Sequence, residues 1–219
     1  MRLLFLRHAE SVSNADPEAV GLPEAEGDRL TKRGHRQALA VARALRESGA
    51  TRLLVSPMGR AQETAKPIAK ALDLEIETHP GIHELREADD FLELPPEEQK
   101  LKRWSERMAE SAADPDSAPE GAESFNDVLG RVRSFKADLE NSEPEAVVLA
   151  ISHGIFGRFF LIDSLIGELF QASEVGRLWQ LRTANCGLSV FERGERRHAA
   201  DPEMAGWVCA SWMQVCWRE

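Results

Sequence analysis

The chain lacks the features that mark several protein classes. Its 219 residues include three cysteines, Cys186, Cys209 and Cys216. Three thiols crowded toward one end cannot form a disulfide framework, so reduced cysteines are expected. No apolar run approaches the roughly 20 residues of a membrane span. The start, Met1-Arg-Leu-Leu-Phe-Leu-Arg-His8, has only four consecutive apolar residues after its first arginine, too few for a signal peptide. The chain is therefore read as cytoplasmic, with no membrane partner. Pro, Gly and Ser are too sparse to suggest long disorder.

Basic charge is also in deficit. With 27 Lys and Arg against 37 Asp and Glu, the formal charge is −10. A uniformly acidic protein repels phosphate backbones and acidic lipids, which excludes nucleic acid as a partner. It would argue against a phosphorylated substrate too, were the charge even. It is not. Residues 1–83 hold 12 basic and 11 acidic side chains, residues 84–123 hold 5 and 13, and residues 124–219 hold 10 and 13. Most of the acidity lies in one short stretch.

What is present is an α/β rhythm. Leu3–Leu6, Leu53–Val55, Leu74–Ile76 and Val147–Ile151 are continuous apolar runs, as in parallel strands buried on both faces. Helical patterns lie between and after them, at Gly34–Glu47, Arg60–Leu72 with Pro67 inside it, Phe125–Leu139 and Ile155–Phe170. Thr31 and Ser124 are placed to cap the first and third. Gly187–Glu192 and Trp207–Met213 read as late edge strands. The fold class is α/β: a three-layer α/β/α sandwich with a mostly parallel central sheet, in one domain spanning 1–219. The acidic stretch, about 86–122, reads as a helical insertion over the active-site end, with a helix opening at Pro95.

Ligands of parallel sheets bind beyond the carboxyl ends of the strands. There the chain places Arg7 and His8, then Ser56 and Arg60, then Glu84, then Ser152, His153 and Gly154. Each is unremarkable alone, but their shared position is not. Two guanidiniums suit bidentate phosphoryl binding, an imidazole can attack phosphorus, a second can donate to a phosphoryl oxygen, and a carboxyl can protonate a leaving oxygen. His79 and His83 have the spacing of helical metal ligands, but Pro80-Gly81 between them opposes a helix, and no metal site is expected. Cys209 and Cys216 and the five tryptophans read as core or interface residues, with Trp104 near the pocket mouth and exposed tryptophans near the C-terminus that would permit a homodimer. His35 and His198 read as surface.

The ordered set of motifs resembles the histidine phosphatase superfamily, phosphoglycerate mutase-like branch. It comprises Leu6-Arg7-His8-Ala9-Glu10-Ser11-x-x-Asn14, Leu30-Thr31-x-x-Gly34-x-x-Gln37-Ala38, Ser56-Pro57-x-x-Arg60-Ala61-x-Glu63-Thr64-Ala65, Pro80-Gly81-Ile82-His83-Glu84, Gly121-x-Glu123-Ser124, Ser152-His153-Gly154 and Asn185-x-Gly187. The resemblance implies that His8 is the phosphorylated nucleophile and that Arg7, Arg60, His153, Asn14 and Gly154 form the phosphate pocket. Glu84 would be the general acid and base, in preference to Glu87. The arginines supply the positive charge, so neither metal nor cofactor is implied. A metal-independent phosphatase of small-molecule phosphate esters is expected. The alternatives are a cofactor-dependent phosphoglycerate mutase, which the acidic insertion disfavours, and a non-catalytic phospho-ligand-binding protein, which has no need of both a nucleophile and an acid. An insertion covering the pocket would disfavour polyanionic substrates through Asp89, Asp90 and Glu93.

Overall fold

A computed structural model describes residues 1–15, 27–88, 109–194 and 206–215. One six-stranded sheet organises them. Strands β1 (Arg2–Arg7), β2 (Arg52–Val55), β3 (Ile76–Thr78), β4 (Val147–Ser152), β5 (Gly187–Gly194) and β6 (Gly206–Val215) lie in the order β3-β2-β4-β1-β5-β6. The first four of that order are mutually parallel, and β5 and β6 are antiparallel at one edge. The weak run at Leu74–Ile76 is corrected by two residues, because the turn after the preceding helix uses Asp73 in a left-handed conformation and β3 begins only at Ile76. Both expected late strands are present, but only β6 lies at an edge, since β5 pairs with β1 on one side and β6 on the other.

Alternation of side chains along the strands builds two cores. Leu4, Leu6, Leu53, Val55, Leu149 and Ile151 pack with helices α2 (Lys32–Ala44) and α3 (Gly59–Leu72) on one face; α1 (Val12–Ala15) is a single turn beyond β1. Leu3, Phe5, Leu54, Val148 and Ala150 pack with α4 (Phe125–Glu140) and α5 (Gly154–Ile166) on the other. The three-layer α/β/α arrangement is therefore present. Phe5, Phe135, Phe156, Phe160 and Phe191 are all fully buried on the α4–α5 side, with the Phe160 and Phe191 rings edge-on at 4.8 Å. The pair Lys136–Asp163, at 2.6 Å, ties α4 to α5 beneath them.

Helix ends follow their local chemistry. Thr31 accepts the Gly34 N–H, and Ser124 forms a reciprocal capping box with Asp127. Pro67 sits inside α3 without ending it. The last expected helix is shorter than its apolar pattern. α5 ends at Ile166, Gly167 takes a positive φ of 54°, and two 3₁₀ segments follow. Trp207, read as a core or interface residue, is buried against Phe160. Cys186 is buried and Cys209 half-buried. His79 and His83 flank a 3₁₀ turn at Pro80–Ile82, and His35 is exposed.

Both ends of the acidic insertion meet at its stem, where the Glu123 N–H donates to the Arg86 carbonyl at 3.1 Å. Its closing part is a helical turn at 109–113 and a loop to 122. Asp89, Asp90, Glu93, the helix opening at Pro95, Trp104, His198, Cys216 and Trp217 lie outside the described residues. Among the described residues, no helix is long and apolar enough to cross a membrane.

One glycine couples the core to the strand ends. A Cβ built on Gly34 would meet the Glu10 carbonyl oxygen at 2.0 Å, so α2 can lie against the segment following β1 only without a side chain there. Gly34→Ala is expected to cost about 2 kcal/mol of stability by overpacking. Urea unfolding midpoints of the two proteins check this.

Candidate active site

The parallel register brings the candidate residues together. Arg7 pairs with Ser152 and Val55 with Ile151, so His8, Ser56 and His153 emerge side by side at the carboxyl edge. The backbone after β1 is held from four directions. The His8 N–H donates to the Ser152 carbonyl at 2.9 Å, Ala9 N–H to Thr64 Oγ1 at 3.0 Å and Glu10 N–H to Gln37 Oε1 at 2.9 Å. The Cys186 N–H and Asn185 Nδ2 donate to the His8 carbonyl.

His8 is buried, and its Nδ1 lies 2.7 Å from the Ala9 carbonyl. A carbonyl only accepts, so Nδ1 carries the proton. Nε2 meets Arg60 Nε at 3.2 Å. A guanidinium only donates, so Nε2 holds a lone pair, and the two bonds give the same tautomer independently. Burial first, then the charges of Arg60 and Arg7, push the imidazole well below its ordinary pKa and keep it neutral.

The second imidazole, His153, lies with its ring centre 5.0 Å from that of His8. Burial, Arg60, His8, Arg7 and His83 lower its pKa well below the ordinary range. Its Nε2 is 2.7 Å from Ser56 Oγ. Its Nδ1 and Arg7 Nε are buried nitrogens with no partner among the described residues. Arg7 is fixed at its far side by NH1 bonds to the carbonyl and hydroxyl of Thr183, at 2.9 and 3.3 Å. Gly154 leaves room for it: a Cβ there would stand 3.5 Å from Arg7 Nε and 3.1 Å from Thr183 Oγ1.

The Glu84 carboxylate accepts N–H groups of Ile155 and Phe156, at 3.1–3.2 Å, in the first turn of α5 beside His153. The helix dipole favours an anion there. Its charge is felt by both Arg7 and Arg158. Asn14, on α1, is brought to the same edge, where its Oδ1 accepts from Asn185 Nδ2 at 2.9 Å. Among the described residues no cluster of His, Cys, Asp or Glu has the makings of a metal site.

Three positions escaped the sequence reading. Asp28 binds Arg60 NH1 and the Gly59 N–H, holding the guanidinium against His8. It stands among other acidic residues with no local pattern to mark it. Arg158 stacks over Trp179 at 4.4 Å and donates to the Leu181 carbonyl, two residues from the anchor of Arg7. Glu123, read only as the start of a helix, receives a two-point ion pair from Arg131 at 2.7 and 2.9 Å and the Arg86 N–H at 2.9 Å. Arg131 also donates to the Gly81 and His83 carbonyls. The pair thus clamps the loop that carries Glu84.

Comparison with known proteins agrees with this arrangement. A mixed α/β sheet that gathers two arginines and two histidines on one rim defines a class, and the model of the histidine phosphatase superfamily (branch 1) matches residues 3–201. The chain belongs to that family. It is 31% identical over 215 residues to the probable phosphoglycerate mutase GpmB of Yersinia enterocolitica, covering 96% of this chain and 92% of that protein. It is also similar to the structure of a mycobacterial glucosyl-3-phosphoglycerate phosphatase, with a TM-score of 0.71 at 22% identity over 97% and 98% of the two chains. The alpha-ribazole phosphatase of Shigella flexneri gives a TM-score of 0.69 at 25% identity, covering 89% and 92%.

The clamp has a pH signature. Burial alone would raise the Glu123 pKa, but the Arg131 and Arg86 hydrogen bonds and the Arg131 charge outweigh it and hold the carboxyl below its ordinary value. Its contribution to stability is therefore present above the unfolded-state pKa, about 4.3, and is lost as pH falls from there through the folded value. Glu123→Gln is expected to be less stable at neutral pH and to lose less stability on acidification. Urea unfolding at neutral pH and near pH 3 checks both parts.

Proposed function

We propose that the protein is a phosphatase of small-molecule phosphate monoesters that works through a phosphohistidine on His8. The observation that carries this reading is the neutral His8 with an Nε2 lone pair, surrounded by buried donors that suit phosphoryl oxygens. His8 Nε2 attacks phosphorus, and the bond to the ester oxygen breaks. That oxygen leaves with a proton from Glu84. Water then gives a proton back to Glu84 as its oxygen attacks phosphorus, and the P–N bond electrons return to Nε2. Arg7, Arg60, His153 and Asn14 donate to the phosphoryl oxygens as charge builds, with Gly154 admitting Arg7 to the pocket. Arg60 exchanges its bond to Nε2 for one to the phosphoryl group as the ester enters. Glu84 is favoured over Glu87 as the acid because its carboxylate is held beside His153 at the start of α5.

A phosphoglycerate mutase is the second reading, supported by the name of the Yersinia relative. It shares the pocket and the first step, and differs in whether water or a bound acid alcohol takes the phosphoryl group. A binding protein without turnover is disfavoured because a tautomer-fixed nucleophile and a seated acid serve no purpose in binding alone.

p-Nitrophenyl phosphate is expected to be hydrolysed in the presence of chelator, His8→Ala to abolish turnover, and Glu84→Gln to slow it on the order of 10²–10⁴-fold. Activity that needs an added divalent metal contradicts this, as does a larger effect from Glu87→Gln. Because His8 stays neutral below the ordinary imidazole range, kcat/KM is expected not to fall as pH drops through about 6.5. A pH–rate profile reads this. Transfer from bisphosphoglycerate that interconverts 3- and 2-phosphoglycerate faster than phosphate is released would favour the mutase.

A further inference from the structure

We infer that Ser56 is a positioning residue that sets the tautomer of His153, so that this imidazole offers the phosphoryl group an N–H rather than a lone pair. The inference rests on the phosphoryl-pocket reading above and goes a step beyond it. The argument is one of donors and acceptors.

The Ser56 hydroxyl is fully buried. Its oxygen has two neighbours of hydrogen-bonding type, the Met58 N–H at 3.3 Å and His153 Nε2 at 2.7 Å. The Met58 N–H can only donate. Among the described residues the hydroxyl proton therefore has one acceptor, His153 Nε2, and a buried hydroxyl that does not donate costs about 1–3 kcal/mol. With Nε2 accepting, neutral His153 must carry its proton on Nδ1. Among the described residues Nδ1 has no hydrogen-bond partner, and the ring that carries it lies 5.0 Å from that of His8.

The two histidines thus share a tautomer and have opposite duties. His8 donates its Nδ1–H to its own chain at Ala9 and keeps the Nε2 lone pair for attack. His153 has its Nε2 lone pair occupied by Ser56 and keeps the Nδ1–H for a phosphoryl oxygen. Protonating His153 would also supply that donor, but its burial first, then the charges of Arg60 on α3 and Arg7 on β1, oppose a charge there. A neutral donor fixed by a hydroxyl avoids that cost. Without Ser56, neutral His153 is free to move its proton to Nε2 and turn a lone pair toward the phosphoryl oxygens.

The test has two arms. In the first, protein labelled with ¹⁵N-histidine is examined by long-range ¹H–¹⁵N NMR, with His153 assigned by comparison with His153→Gln. The expected result is a neutral His153 protonated on Nδ1 in the unsubstituted protein. A resonance pattern of an Nε2–H imidazole overturns the inference, and this arm does not depend on any variant of Ser56 folding. In the second, Ser56→Ala and the parent protein are compared on p-nitrophenyl phosphate near neutrality and in the same NMR experiment. The variant is expected to lose on the order of 10–100-fold in kcat/KM and to show the His153 proton shifted toward Nε2. No loss, or a loss with His153 still protonated on Nδ1, overturns the inference. Absence of turnover by the parent protein would instead overturn the pocket reading, which separates the two failures.

Discussion

The 2.7 Å hydrogen bond between His8 Nδ1 and the Ala9 carbonyl decides what the rest of the pocket can do. It fixes one proton, and with it the side of the ring on which a lone pair is available. Everything around it keeps that bond in place. The sheet register sets His8 beside Ser152, Thr64 on α3 holds the Ala9 N–H, and Gln37 on α2 holds the Glu10 N–H. Gly34 lets α2 approach closely enough to do so. A slip of any of these by an ångström would leave an imidazole in the pocket but not a directed nucleophile.

Positive charge is then assembled from arginines. Arg7 and Arg60 converge from β1 and α3, each with a tether behind it, Thr183 for the first and Asp28 for the second. Burial first, and then their combined field, keeps both imidazoles neutral, and neutrality is what the proposed mechanism needs of both. The same field would attract the phosphoryl dianion of the proposed substrate. Glu84, the proposed acid, sits on a loop held by Glu123 and Arg131 and docked on the first turn of α5. Thus the charge of −10 on the whole chain says little about the pocket, whose positive groups are local, Arg7 tethered by Thr183 and Arg60 by Asp28.

Most of the fold was legible because buried parallel strands leave continuous apolar runs, and three of the four runs fall on their strands. Leu74–Ile76 was misplaced because β3 is a short edge strand with one half-buried and two exposed residues, so burial imposes little pattern on it. The end of α5 was overread because an apolar pattern continues through 3₁₀ turns that bury Phe170 and Ala172. At the site, Arg7, His8, Arg60, Glu84 and His153 were read as neighbours because strand ends concentrate chemistry, and the structure brings them together. Asp28 and Arg158 were not, because each acts across long sequence separations, on Arg60 and beside Arg7, and nothing next to them in sequence reports it. Ser56 was visible as part of a motif, but its partner nitrogen was not.

The central claim is that His8 Nε2, and no other atom, carries the phosphoryl group during turnover. It is tested most directly by ³¹P NMR of protein quenched in base during hydrolysis of p-nitrophenyl phosphate, followed by digestion to locate the modified residue. The expected result is a single acid-labile phosphohistidine at residue 8 with phosphorus on Nε2. Phosphorus on Nδ1 of His8, on His153 or on a hydroxyl would contradict it.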